Sequence, residues 1–338
     1  MKYLLLVVLF SIFSAPLLAE EICTDWKSEK LGKIDIKKLD ESSGIVVSRQ
    51  MANVFWTHND SSDKARLFAI DKKGKKLGEF DIEDADAIDW EDISIAPCSI
   101  LPSQSTEDGD CLFIGDIGNN TTQRDTFTIY VVREPLRQGS DKFEEDTLSI
   151  LQRIDFEYEK KPRNSEAFFV NHDGVWLFDK GGASDLYHLK FDSDQARHMG
   201  KQKKIEFLTG ADLNESGTAF ILRSNNDAWI FSVDAEESIA DAFERKGVKI
   251  DIKAEPHGEG IAWYGEDFVT SSEGRYSRLR KYRCKNSFGK ADGVDNTTDR
   301  ELNVSGGGCS HHRGKGPLPL IFLLFLAGII ARRKRVNA

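Results

Sequence analysis

Five carboxylates stand at the head of short apolar runs: Glu41 before SSGIVVS, Glu91 before DISIAP, Glu166 before AFFV, Asp212 before LNESGTAFIL and Glu259 before GIAWYG. The intervals are 50, 75, 46 and 47 residues, periodic apart from one long gap. Carboxylates held within a few ångströms of one another raise each other's pKa and repel, and a bound cation relieves both effects. No Cys or His occupies the repeated position, so the donors are oxygen only, which favours Ca²⁺ over Zn²⁺ or copper. Calcium is therefore the expected cofactor, with these five residues as its ligands. Any one of them has an ordinary explanation as a turn cap or a solvated charge. Recurrence is what sets the group apart.

A second polar set closes the runs that follow: VFWTHND (54–60), CLFIGDIGNN (111–120), VWLFDKGG (175–182), AFILRSNN (219–226) and DFVTSSEG (267–274). Asp60, Asp116, Asn119, Lys180, Arg223 and Glu273 are the expected ligand-binding residues. Mixed acids, amides and two cations suit a small polar ligand, such as a surface glycan or a phosphate compound, with Lys180 and Arg223 meeting a phosphate or carboxylate bridged to the metal. His58 and His257 are the candidates for acid and base in hydrolysis at a metal-bound substrate. The chain has no Gly-x-Ser-x-Gly elbow, Walker loop or His-Glu-x-x-His, and GDIGNN lacks the acidic spacing of an EF-hand.

The elements that must position these residues are strands. After each acidic start and polar close comes a third apolar run, RLFAID, FTIYVV, DLYHLKF, AWIFSVD and SRLRKYRC, rich in aromatic and β-branched residues and punctuated by Gly, Asn and Asp. Four-stranded units repeating at roughly 47 residues read as blades of a β-propeller. The expected fold is all-β, a single propeller of five blades, or six if 134–160 contains a degenerate unit. The last unit has three strands, so LGKIDIKKL (31–39) is expected to supply its outer strand and close the ring. A two-domain sandwich is the alternative. In a meander the start of strand one and the end of strand two share an edge, which would gather both polar sets at the mouth of a central channel.

The runs ESSGIVVS (41–48) with VFWTHND, DWEDIS (89–94) and GEGIAW (258–263) resemble the secreted phytase-like and esterase-like propellers, and more distantly the gluconolactonase-like and strictosidine-synthase-like ones. Calcium apyrases, five-bladed with an axial Ca²⁺, are a further parallel. The resemblance implies a propeller with acidic blade starts; it carries over to Glu41, Glu91, Glu166, Asp212 and Glu259 and implies no particular activity.

Both ends of the chain differ from the body. Residues 1–19, with Lys2, an apolar run and a small residue before Glu20, read as a signal peptide. Residues 20–300 form the expected propeller, 301–316 a Gly-rich linker and processing site, and 317–338 a short transmembrane segment, entering the membrane through 317–331, with a basic cytoplasmic end. Gly-Gly-Gly-Cys followed by an apolar run and a basic end resembles GlyGly-CTERM and MYXO-CTERM sorting tails, which implies a sorting protease as partner and Cys309 as a processing residue. The expected location is extracytoplasmic, anchored in the membrane or sorted to a bacterial cell surface. Without Lys2 and the six basic residues of 310–338, the body is more acidic than the −10 of the whole chain, which argues against nucleic-acid binding. The remaining cysteines predict two disulfides, Cys98–Cys111 across a polar loop and Cys23–Cys284 across the closure. Three functions follow in order: a surface-attached propeller holding Ca²⁺ and binding a polar ligand; a calcium-dependent hydrolase of phosphate or carboxylic esters; and a non-catalytic envelope protein.

Overall fold

The computed structural model describes residues 23–61, 63–104, 108–120, 123–137, 143 and 146–285. The signal peptide, the linker, Cys309 and the membrane segment expected from the sequence lie outside them. Among the described residues no helix is long and apolar enough to cross a membrane.

Strand β1 is Trp26–Lys33; β2 to β5 are Ser42–Val47, Val54–Asn59, Arg66–Asp71 and Lys76–Ile82. Then come β6 (Trp90–Pro97), β7 (Asp110–Asp116), β8 (Thr126–Arg133), the two-residue β9 (Thr147–Leu148) and β10 (Gln152–Tyr158). Strands β11 to β14 are Ser165–Asn171, Gly174–Asp179, Ser184–Leu189 and Gln195–Gln202; β15 to β18 are Leu208–Leu213, Ala219–Ser224, Asp227–Ser232 and Val248–Asp251. The last three are β19 (Gly258–Tyr264), β20 (Asp267–Ser272) and β21 (Arg278–Cys284), and one short helix, α1 (Ile239–Glu244), precedes β18.

These strands form antiparallel meanders in the orders β2-β3-β4-β5, β6-β7-β8-β10, β11-β12-β13-β14, β15-β16-β17-β18 and β19-β20-β21-β1. A short parallel pairing of Glu157 and Tyr158 with Gln195 and Ala196 fuses the second and third into one eight-stranded sheet. The first strand of each meander contacts that of the next: β2 lies against β6, β6 against β11, β11 against β15, β15 against β19 and β19 against β2.

Alternation explains why the inner strands read as continuous apolar runs. Successive side chains leave a strand on opposite faces, and both faces here are buried. On β11, Ala167 and Phe169 pack toward the fourth meander while Phe168 and Val170 pack toward the second. The core is thus a set of layers between neighbouring sheets, with Trp56 and Trp90 in the first-to-second layer and Ile221, Phe268 and Tyr282 in the fourth-to-fifth. This is a β-propeller arrangement, all-β, and the sandwich alternative fails because each inner strand packs against two neighbours in succession and not against one facing sheet.

Two sequence expectations need correction. The N-terminal strand paired with β21 is Trp26–Lys33, in the register Trp26↔Cys284 to Lys33↔Arg278, not 31–39. The alternating apolar residues of 34–39 serve packing instead: Ile34, Ile36 and Leu39 fill the layer between the last sheet and the first. The stretch 134–160 gives no separate meander among the described residues; it supplies β9 on the edge of β5 and β10 as the fourth strand of the second sheet. Both expected disulfides are present, Cys23–Cys284 with Cα atoms 5.9 Å apart and Cys98–Cys111 at 4.9 Å. They fit an oxidising, extracellular environment.

Candidate metal centre

Every inner strand begins with a break in register against its partner: Ser42/Ile45 in β2, Trp90/Asp92 in β6, Ser165/Ala167 in β11, Leu208/Gly210 in β15 and Gly258/Ile261 in β19. A bulge takes one side chain out of the alternation and re-aims it. The displaced residues are Glu91, Glu166 and Glu259 in three strands; Ser43 and Thr209 lie within the other two breaks. Equivalent positions therefore carry three carboxylates and two hydroxyls. Ser43 donates to the backbone of Glu91, and Thr209 donates to the carbonyl of Gly258 at 2.9 Å, so the hydroxyls tie inner strands together.

Asp212 is not the fourth member of this series. It lies three residues beyond Thr209, buried, accepting from Trp263 N at 2.8 Å. Glu41 sits just before β2 with its carboxylate exposed at the rim, where its charge bears on Glu273. The sequence spacing misplaced Asp212 because the loop between β15 and β16 also begins with polar residues, and a bulge is invisible in a one-dimensional pattern.

The mouth nevertheless gathers more carboxylates than the repeat alone supplies. Carboxylate oxygens of Asp60, Asp89 and Glu91 all lie within 4.8 Å of one another. Glu166, Glu259 and Glu273 add their fields to the same space. Burial first, then Asp89, raises Asp60 to about 7; burial, then Glu166, raises Glu91 well above the carboxylate range; burial raises Glu259 to about 8 against the pull of Lys180. Lys180 donates its ammonium to Glu166 and faces Glu259 and Glu91; the buried Arg223 also bears on Glu259.

Amides and one glycine organise the cluster. Asn120 N donates to Asp89 Oδ2 at 3.1 Å, while its side-chain amide reaches Glu91 and Glu166 at 3.4 and 3.3 Å. Asn164 donates to Glu166 Oε1 at 2.9 Å. At Gly118 a Cβ would fall 2.1 Å from Glu91 Oε1 and 2.6 Å from the Asp89 carboxyl, so a larger residue there would displace both carboxylates.

Several predicted ligand-binding residues are occupied with positioning. Asp116 Oδ1 accepts from Asp89 N at 3.0 Å and from Arg124 at 2.7 Å. Asn119 Oδ1 accepts from the backbone of Arg124 at 3.2 Å, holding the same loop. Arg223, 0% exposed, donates to Gly260 O at 2.8 Å, Ser271 O at 2.7 Å and Glu255 at 2.7 Å, which locks the fourth meander to the fifth. Asp60, Lys180 and Glu273 remain in the mouth. His58 is fully buried edge-on to Trp90, held neutral by burial with its pKa lowered to about 4, while the His257 side chain is 74% exposed at the rim. The structure does not bring the two histidines together.

Asp92 is a residue whose role the sequence did not disclose. It is fully buried, and its oxygens accept from Ile93 N at 2.9 Å, Phe168 N at 3.2 Å and Ala211 N at 3.1 Å, pinning three inner strands to one side chain. Burial still pushes its pKa well up. Asp89, Asn164 and Glu255 were likewise missed; Asp89 lies in the same DWED run as Glu91, the one signal that could have found it.

No family model matches the chain, and no curated protein matches it. Among solved structures it is similar to the major allergen Mala s 1 of Malassezia sympodialis, at 10% identity and a TM-score of 0.47, covering 75% of this chain and 96% of that one. It is also similar to glutaminyl cyclase of Myxococcus xanthus, at 10% identity and a TM-score of 0.44, covering 76% and 95%. Likeness at this level carries no ligand or reaction across.

Proposed function

We propose that this chain is an exported, five-bladed β-propeller, closed by β1, whose acidic axial mouth binds Ca²⁺ and, through it, a small polar ligand outside the cytoplasm. The observation that carries the reading is the cluster of Asp60, Asp89 and Glu91, with oxygens within 4.8 Å of one another. Oxygens sharing one Ca²⁺ at about 2.3–2.6 Å can stand no more than about 5 Å apart, so the cluster fits the ion, and its donors are all hard oxygens. Glu166, Glu259 and Glu273 surround it, and Lys180 with the more distant Arg223 is too little positive charge for six acids. Cycling of calcium would exchange protons on the raised carboxyls for the metal. The cyclic contacts of the inner strands support the five-bladed closure, and the two disulfides support export.

A second reading rests on Glu259. A carboxyl raised to about 8 stays protonated near neutral pH and is suited to act as a general acid beside a metal-bound ester, which would make the chain a hydrolase.

The test is a thermal melt of the chelator-treated body with and without millimolar Ca²⁺, followed by metal analysis. Stabilisation by calcium that is lost in Glu91→Gln supports the site; identical melts with calcium and chelator would refute it. Turnover on a panel of phosphate and carboxylic esters, abolished in Glu259→Gln, would select the hydrolase.

A further inference from the structure

Beside the loop that joins β10 to β11, a cavity of about 200 Å³ is lined by Glu159, Lys160, Lys161, Arg163, Tyr187 and His198. Its lining differs from the mouth's: Lys160, Lys161 and Arg163 line it with Glu159, and Asp179 and Asp185 stand behind Arg163. Exposed lysines alone would be ordinary solvated charges, but one buried and one partly buried donor accompany them here. Tyr187 is 2% exposed, and its hydroxyl has no hydrogen-bond partner. Burial raises its pKa further, so it remains an O–H donor. The Arg163 side chain, 24% exposed, lies over the Tyr187 ring at 5.3 Å. It stands 3.6 Å from Asp179 and from Asp185, too far for a hydrogen bond, and among the described residues its guanidinium donates none. His198 Nε2 is paired with Asp185 at 3.0 Å, which fixes the ring beside the cavity.

Unmet donors on a three-quarters-buried arginine and a buried phenol, with two lysines at the rim, call for one kind of guest. Carboxylates, phosphates and sulfates accept from such a set in charge-assisted hydrogen bonds. At about 200 Å³ the cavity is smaller than the pockets of roughly 300 Å³ and upward that take drug-sized molecules. We propose that this pocket binds an oxyanion of the phosphate or sulfate class, with Arg163 and Tyr187 donating to its oxygens and Lys160 and Lys161 supplying the charge that draws it in. The site is independent of calcium in the mouth, although residue 164 at the end of the same loop is the Asn that holds Glu166.

The probes are inorganic phosphate, inorganic sulfate and glucose 6-phosphate, titrated calorimetrically into calcium-free protein against chloride at matched ionic strength. One saturable site per chain is expected. Tyr187→Phe should weaken it about tenfold, the value of one hydrogen bond to a charged group, and Lys160→Gln/Lys161→Gln by at least as much. Both variants should melt no lower than the parent without ligand, because the hydroxyl is unpaired and the lysines are at the rim. Binding of the inorganic ions identifies a free anion as the guest; binding of glucose 6-phosphate alone identifies a phosphomonoester. No saturable binding of any probe, or affinities unchanged in both variants, overturns the proposal, and neither result bears on the calcium site.

Discussion

The ammonium of Lys180 is bonded to the carboxylate of Glu166 at the point where the fields of Glu91 and Glu259 also converge. A cation supplied by the chain itself therefore sits among the acids. It is too little for six of them, and burial pushes the surplus to higher pKa. Both facts place Lys180 in competition with any metal that enters.

Lys180→Gln should thus tighten calcium binding while weakening the metal-free fold. Removing one positive charge a few ångströms from the ion is worth about 1–4 kcal/mol between water-like and surface-like screening, so affinity should rise about fivefold or more. In chelator the variant should melt below the parent, since Glu166 loses its partner. Calcium titration followed by melts with and without metal checks both signs; weaker binding would make Lys180 a support for the ion and not its rival.

Asp212 gives a pH dependence away from the proposed ligands. Burial raises its pKa from 3.8 to about 7, partly offset by its backbone donors. The folded chain therefore keeps a proton that the unfolded chain has lost, and stability falls as pH rises from about 4 to about 7, by up to about 1.4 kcal/mol per pH unit. Asp212→Asn should gain on the parent across that window. Urea titrations at its two ends check this, and a constant difference would mean that Asp212 is ionised throughout.

Arg223 and Glu255 form a buried pair, 2.7 Å apart, and Arg280 reaches the same carboxylate at 2.9 Å. The guanidinium also crosses to Gly260 and Ser271, and a Cβ on Gly258 would stand 2.0 Å from its Nη2, so a larger residue there would push it out. Arg223→Met leaves buried Glu255 with Arg280 as its remaining cation and removes the bonds to Gly260 and Ser271, and should cost about 3–5 kcal/mol in urea unfolding. A cost below about 1 kcal/mol would show that the latch between the fourth and fifth sheets is redundant.

The Cys23–Cys284 bridge joins positions 261 residues apart, and a cross-link of such span stabilises chiefly by restricting the unfolded chain. Cys23→Ser/Cys284→Ser should lower stability by about 3–5 kcal/mol, more than Cys98→Ser/Cys111→Ser, whose cysteines are only 13 apart. Paired melts of the two double variants give the order, and the reverse order would mean that β1 holds its place without the bridge.

Much of the sheet order was legible because apolar runs and polar closes recur at similar spacing apart from one long gap, and Glu91, Glu166 and Glu259 could be located from it. The offset of β1 was not, since Ile34 and Ile36 alternate as a strand would while packing as a plug. Nor could spacing reveal that Arg223 is a structural latch, that His58 is sealed beside Trp90, or that Thr209 and not Asp212 matches the glutamates. Those outcomes depend on bulges and on which neighbouring sheet supplies a partner, information carried by residues about thirty to fifty positions away.

The central claim is that the mouth exchanges protons for a cation, and calorimetric titration of Ca²⁺ into chelator-treated protein near neutral pH, in two buffers of different ionisation enthalpy, tests it most directly. One ion should bind per chain, with heats that differ between the buffers because the raised carboxyls among its ligands, Asp60 and Glu91, release protons, and the binding should be lost in Glu91→Gln. No saturable heat at millimolar calcium, or equal heats in both buffers, would contradict the account.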